Sequence, residues 1–240
     1  MERHRLDALI SACGPARAVL RLRAHVTEAR QQKIEDVLRR RIRSVKVAIE
    51  HPRDPHNAAA IVRTVDALGG GGVHAISDLS GILRARKTTK GAYYWVDTRH
   101  HHDLDTLLGE LHAEGMRLAG ACVEAEGAVP LAEVPVDRPI CLMFGNEKTG
   151  LSRDARAACD LTFTIPMVGM SESLNLSVSA ALALASVLER RRAHLGAEGD
   201  GDPTWLARTR ARWLAKALDD RFVEALLKPR VEPAPEELRT

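Results

Sequence analysis

Three short segments of this 240-residue chain gather side chains of the kinds that orient ligands and handle protons. The first runs from His56-Asn57 to Arg63-Thr64. It places an amide at a helix start and a guanidinium six residues on, among Ile61, Val62, Val65 and Leu68. A guanidinium in so apolar a helix must find an acceptor or face a cleft; otherwise it is a surface arginine with a snorkelling stem. The second is FGNEKTGLS, residues 144–152. Gly145 follows a run of apolar residues directly, which lets a ligand approach the main chain, and Glu147 stands at the rim. The plainer reading is a tight surface loop before a helix capped by Ser152. The third is IPMVGMSESLNL, residues 165–176. An apolar loop of this kind can hold an adenine and a thioether through main-chain groups. Ser173 and Asn175 add polar groups at a helix start, where simple capping is the alternative, and for Ser173 taken alone the favoured one.

Other chemistries are excluded by spacing. In a P-loop, Lys and Ser/Thr directly follow the second glycine; here Leu151-Ser152 follow Gly150, so the phosphate-binding cation is missing. The glycines at 69–72 do not spell GxGxxG and lack the strand–glycine–helix order of a dinucleotide site. His100-His101-His102 alternate faces on a strand, and no carboxylate or cysteine stands at ligand spacing, so no metal is expected. Cys13, Cys122, Cys141 and Cys159 form no CxxC pair, which fits a reducing cytoplasm rather than a disulfide framework.

An alternation of strands and helices positions the three segments. Strands are expected at Val45–Glu50, Val73–Ser77, Tyr93–Thr98, Met116–Val123, Pro139–Phe144 and Leu161–Pro166. Helices are expected at Asn57–Leu68, with Asn57 as N-cap and Gly69 after its end, from Asp103 to Gly115, and over Ser173–Leu195. Such a pattern reads as an open α/β sheet, whose ligands bind at strand C-terminal ends. Residues 1–26 are weakly patterned and are expected to fray. Thr27–Ser44 reads as a helix with Ile34, Val37, Leu38 and Ile42 on one face and Arg30, Lys33, Arg40 and Arg41 mostly off it. Gly196–Pro203 is a linker by composition, followed by an amphipathic stretch over Thr204–Leu227 and a disordered end at 231–240.

Net charge is +3, from 35 basic and 32 acidic residues. Residues 1–46 hold 12 of the former and 5 of the latter, a net of +7, which leaves −4 for the rest. A basic arm on a near-neutral body suits a polyanion partner. No apolar run approaches a membrane span, and no secretory signal is evident. The expected organisation is a basic extension (1–46), an α/β domain (47–195) and a helical extension (196–240).

Together the three segments, in order and spacing, resemble the signature motifs of the SpoU branch of the SPOUT superfamily, ribose 2′-O-methyltransferases of tRNA and rRNA. The resemblance spans about residues 27–192. The arm TEARQQKIEDVLRRR and the helical tail are similar to those of TrmH-type members, which act on guanosine-18 of tRNA. The resemblance implies an α/β fold with a C-terminal trefoil knot, a homodimer, and S-adenosylmethionine as cofactor. It implies that Arg63 is the catalytic arginine, oriented by Asn57, and that Glu147, Ser173 and Asn175 shape the site. It assigns cofactor contacts to Val123, Gly145, Met167 and Leu176, and tRNA contacts to Arg30, Lys33, Arg41 and Arg191. Glu189 departs from the pattern, where a relative has Arg; Arg190 and Arg192 are expected to compensate. Within this branch Arg63 is described as the proton acceptor. Its high intrinsic pKa favours a charged side chain that stabilises the developing alkoxide. An rRNA methyltransferase of the same branch and a non-catalytic knotted RNA-binding protein are the alternatives. The first usually carries a folded N-terminal RNA-binding domain; the second conflicts with Asn57, Arg63, Glu147 and Asn175 all being present.

Overall fold

The computed structural model describes residues 1, 3–79, 81–84, 89, 91–123 and 126–228. The expected disordered end, 231–240, lies outside them. The chain forms two compact units, residues 39–200 and a second unit made of residues 1–38 and 201–240. The two terminal segments, expected as separate extensions, thus share one unit.

Unit 39–200 is built on a seven-stranded, all-parallel sheet. Its strands are β1 (Ile42–Glu50), β2 (Gly70–Ile76), β3 (Asp97–His101), β4 (Arg117–Ala121), β5 (Val129–Pro130), β6 (Ile140–Phe144) and β7 (Leu161–Thr164). They lie in the order β3-β2-β1-β6-β4-β7-β5. Strand β6 (ICLMF) is buried along its whole length, as a central parallel strand covered on both faces must be. The glycines before Val73 belong to β2 itself. A Cβ on Gly71 would sit 2.2 Å from the Arg43 carbonyl oxygen, so only glycine lets β2 pair so closely with β1. The strand expected at Tyr93–Thr98 is instead a 3₁₀ turn over Ala92–Tyr94, with β3 starting at Asp97.

Helix α4 (Pro55–Leu68) starts at Asp54, not Asn57: the Asp54 side chain accepts from the His56 N–H, and Pro55 occupies the first turn. Gly69, at φ 81°, ends it. Its buried face, Ala58, Ala59, Ile61, Val62 and Val65, packs on α7 (Leu176–Leu195). Helix α5 (Leu104–Ala113) is capped by Asp103 as expected and lies over β2, β3 and β4. Helix α6 (Arg153–Ala158) is capped by Ser152.

Three arginines of the basic reading turn inward. Arg41 precedes β1 and is 2% exposed; it donates to the Gly70 carbonyl at 3.0 Å and pairs with Asp66. Arg191, also buried, donates to Ser44 Oγ at 3.0 Å and to the Val136 carbonyl at 2.7 Å. Arg190 donates to the carbonyls of Val134 and Leu131. The Arg190 and Arg191 forks fasten neighbouring segments to α7, and the Arg41 fork joins the start of β1 to β2 and α4; Arg41 and Arg191, expected to contact phosphates, are buried in this use. Burial itself demands it, because a desolvated guanidinium without acceptors is costly.

The second unit consists of α1 (Arg3–Cys13), α2 (Pro15–Arg23), α3 (Glu28–Leu38), α8 (Pro203–Ala215) and α9 (Asp220–Leu227). Residues 1–26 do not fray. Leu6, Ile10, Ala18 and Leu22 are buried with Ile34, Leu38, Trp213, Leu214 and Val223. Arg5–Glu224 and Arg210–Glu35 form two-point ion pairs on this unit. Arg30 and Lys33 lie on the exposed side of α3. No helix among the described residues is long and apolar enough to cross a membrane.

Candidate active site

The C-terminal ends of β4, β6 and β7 open onto a cavity of about 530 Å³. That is where an open parallel sheet offers its crevice, and the size suits a nucleoside-like ligand. Val123 follows β4, Gly145 follows β6, Met167 follows β7 and Leu176 begins α7; all four line the cavity. Glu147, Ser173 and Asn175 line it too.

Each wall has a local cause. Residues 145–150 form a tight loop closed by Asn146 N–H to the Gly150 carbonyl at 3.0 Å and the reverse bond at 2.8 Å. A Cβ on Gly145 would lie 2.0 Å from the Gly150 carbonyl carbon, so the loop can fold back only on glycine. Helix α7 starts at Asn175 rather than Ser173. The Asn175 side-chain oxygen accepts from Ser177 N–H at 2.8 Å and from Ser177 Oγ at 2.7 Å. Ser173 is left exposed on the cavity wall.

The three segments are tied to one another. Glu147 accepts from the Arg53 N–H at 2.8 Å, the Asp54 N–H at 3.2 Å and the Asn57 side-chain amide at 3.0 Å. The Asn57 oxygen in turn accepts from the Asn175 amide at 3.1 Å. Asn146 Nδ2 donates to the His51 carbonyl at 2.7 Å. His51 has φ 45°, a left-handed conformation otherwise confined to glycines among the described residues. Partial burial would raise the Glu147 pKa, but the N–H groups of Arg53 and Asp54 and the Asn57 amide outweigh it and hold the carboxyl below its usual range. Glu147 is therefore a poor proton acceptor and a good fastener.

Arg63 is exposed on α4 and does not line the cavity. Six residues separate it from Asn57, about 9 Å along the axis and about 240° around it. Among the described residues it has no hydrogen-bond or ion-pair partner. Asn57 reaches the cavity wall only through Glu147 and Asn175. Sequence reasoning missed Arg156, an exposed cation of α6 on the cavity wall, and Cys122 beside it. The signal available was the position of Arg156 one turn into the helix that follows the second segment.

Comparison with known proteins places this geometry. A model of the SpoU rRNA Methylase family matches residues 44–185. A tRNA (guanosine(18)-2′-O)-methyltransferase of Thermus thermophilus is 38% identical over 191 residues, covering 79% of this chain and 98% of its own. The crystal structure of the A. aeolicus TrmH/SpoU tRNA modifying enzyme superposes with a TM-score of 0.71 at 26% identity, covering 79% of this chain and 96% of its own. The SpoU methyltransferase AviRb of Streptomyces viridochromogenes, solved in complex with the cofactor AdoMet, has a TM-score of 0.57 at 25% identity over 66% of this chain and 64% of its own.

Proposed function

The chain belongs to the SpoU methylase family, and we propose that it methylates the ribose 2′-hydroxyl of guanosine-18 in tRNA with S-adenosylmethionine as donor. The observation that carries this reading is the chain of hydrogen bonds from Glu147 through Asn57 to Asn175, which joins the three segments beside the strand-end cavity. The tRNA target is supported by the names of relatives such as those of Thermus thermophilus and Escherichia coli.

The cavity fits the cofactor by size and lining: Val123, Gly145, Met167 and Leu176 would hold it by main-chain groups and apolar contact. Bound there, S-adenosylmethionine supplies an electrophilic methyl group. Ser173, exposed on the wall, is placed to meet ribose or cofactor. Asn57 and Glu147 are positioning residues, because their polar atoms are already used on each other and on the loop at 53–54. The N–H donors of the Arg63 guanidinium stabilise the oxyanion forming on the 2′-oxygen. That charge develops as the hydroxyl proton passes to solvent.

The active unit in this reading is a homodimer. Val168 and Met170 are fully exposed, and Val178 and Leu182 on α7 are half exposed, an apolar surface suited to a second copy. A partner's α4 would bring Arg63 to a cavity that this chain's own Arg63 does not line. The chain would be threaded as a trefoil knot: β6 inserts between β1 and β4, and α7 returns against β1. Arg30 and Lys33 on α3 would contact tRNA phosphates, in the cytoplasm where the substrate resides.

The test is methyl transfer from labelled cofactor to unmodified tRNA and to rRNA, with the product nucleoside mapped. 2′-O-methylguanosine at position 18 is expected. A methylated rRNA with inert tRNA would favour the rRNA enzyme, and no transfer to either would favour a binding protein.

A further inference from the structure

Away from the cavity, the outer end of the sheet holds a cluster that the methyl-transfer chemistry does not use. His74 on β2 and His101 at the end of β3 point to the same face, because Ile76 pairs with His101 and His74 with Arg99 across the ladder. Both are almost fully buried. His74 Nδ1 and His101 Nε2 stand 2.8 Å apart. Helix α5 lies over them and brings Glu110, whose Oε2 is 3.8 Å from His74 Nδ1 and 3.9 Å from His101 Nε2.

The run His100-His101-His102 does alternate faces: His101 is buried while His100 and His102 are exposed. The partners that its own neighbours fail to provide come from the adjacent strand and the covering helix. Three nitrogen and oxygen donors separated by 2.8, 3.8 and 3.9 Å have a common equidistant point about 2.1 Å from each. That radius equals a zinc–imidazole or zinc–carboxylate bond, about 2.0–2.2 Å. That point lies in the plane of the three atoms; opening the 2.8 Å nitrogen pair and drawing in the half-exposed Glu110 by a few tenths of an ångström turns it into a tetrahedral set.

We propose that His74, His101 and Glu110 form a binding site for a divalent transition-metal ion of the zinc class, which clamps β2, β3 and α5 together. Two imidazoles and a carboxylate leave one coordination position, and Glu110 is half exposed, so water completes the set. The surroundings suit a dication. Lys46, on the same face, is held by Glu114 at 2.8 Å, and Arg99 lies 3.5 Å from Asp97 and 3.8 Å from the other Glu110 oxygen. Asp103 follows at the start of α5. With both rings neutral, the two nearby cations are matched by Glu114 and Asp97, and the charge left over before the ion arrives is negative, on Glu110 and Asp103. The two facing ring nitrogens, 2.8 Å apart, share a single hydrogen, so at least one of them already carries a lone pair that a metal can take. Without metal, one ring donates its N–H to the other. Metal binding moves that hydrogen to the far nitrogen of the same ring, and no proton is released.

The experiment uses the full chain, stripped with EDTA and titrated with Zn²⁺ and with Co²⁺. One ion per chain is expected, with a four-coordinate cobalt spectrum, no thiolate-to-cobalt band and a rise in melting temperature. Glu110→Gln, on a half-exposed side chain, and His101→Gln should each weaken binding about tenfold or more and cancel the thermal shift. His100→Gln/His102→Gln should bind like wild type. A stoichiometry near zero, unchanged affinity in Glu110→Gln, loss of binding in the 100/102 variant, or a thiolate band would each overturn the proposal.

Discussion

If Arg63 serves the cavity of a second copy, two inactive variants must rescue each other. One is Arg63→Ala, which removes the exposed guanidinium of α4 and leaves the cavity lining intact. The other is Val123→Trp, which fills the cavity from a side chain that is already more than half exposed, at little cost to the core. Alone, Arg63→Ala should lose about 10²–10³ in kcat, the usual loss for one donor to a developing oxyanion. Its cofactor affinity should stay near wild type. Mixed one to one through co-expression, half of the dimers pair one variant with the other. In each, one composite site combines an intact cavity with an intact Arg63, and the second site combines both lesions. Activity should therefore recover to about a quarter of the wild-type value per chain. The assay is labelled methyl transfer to unmodified tRNA, with dimer composition checked by differential tags. The geometry that motivates this is the helical offset of Arg63 from Asn57, about 9 Å and about 240°. Activity in the mixture no higher than the mean of the two variants would show that Arg63 works on its own cavity, and the two-chain site would be wrong.

Neutralising Arg30 and Lys33 to Gln should flatten the salt dependence of tRNA binding by about 0.7–0.9 in log–log slope for each phosphate no longer neutralised; titration at several salt concentrations measures it, and an unchanged slope returns them to a merely solvated face. Arg41→Ala should instead destabilise the fold by about 3 kcal/mol, read by denaturant unfolding, because it strands Asp66 and the Gly70 carbonyl. Cys122, on the cavity wall, should be protected from alkylation by S-adenosylmethionine, while Cys141, fully buried with its thiol pushed up to about 12, stays unlabelled in the native protein with or without cofactor. The folded pKa of Glu147 is depressed, so its stabilising contribution is complete above the ordinary carboxylate pKa and is lost as pH falls through the depressed value. The stability difference between wild type and Glu147→Gln should shrink over that acidic range, and a difference independent of pH would deny the carboxylate its fastening role.

What can be read from the residues, and what cannot, follows from the range of the forces involved. Strand β6 and the apolar face of α4 are legible because their burial is repeated at every position, and a periodic signal survives ignorance of partners. Asn57 and Asn175 stand out in the sequence as candidate site residues, but their local roles do not. Asp54 caps α4 and Asn175 caps α7, which frees the Asn57 side chain for a bond 118 residues away in sequence. A capping preference holds for several neighbouring polar residues alike, and only the tertiary bond decides among them. Charge is the least legible property. Arg30, Arg41 and Arg191 look alike in sequence, yet the latter two are spent on internal carbonyls and hydroxyls that other segments present. The N-terminal 26 residues mislead for the complementary reason: their apolar side chains, Leu6, Ile10, Ala18 and Leu22, find their partners on α8 and α9, roughly two hundred residues on. The same logic separates His101 from its neighbours. A run of three histidines offers no metal site along one strand, but a ladder register that sets His74 beside it and a helix that lowers Glu110 onto both make one. Function in this chain thus resides in contacts between segments that are individually unremarkable, so variants that cut one cross-segment bond should report on it more sharply than variants that change composition.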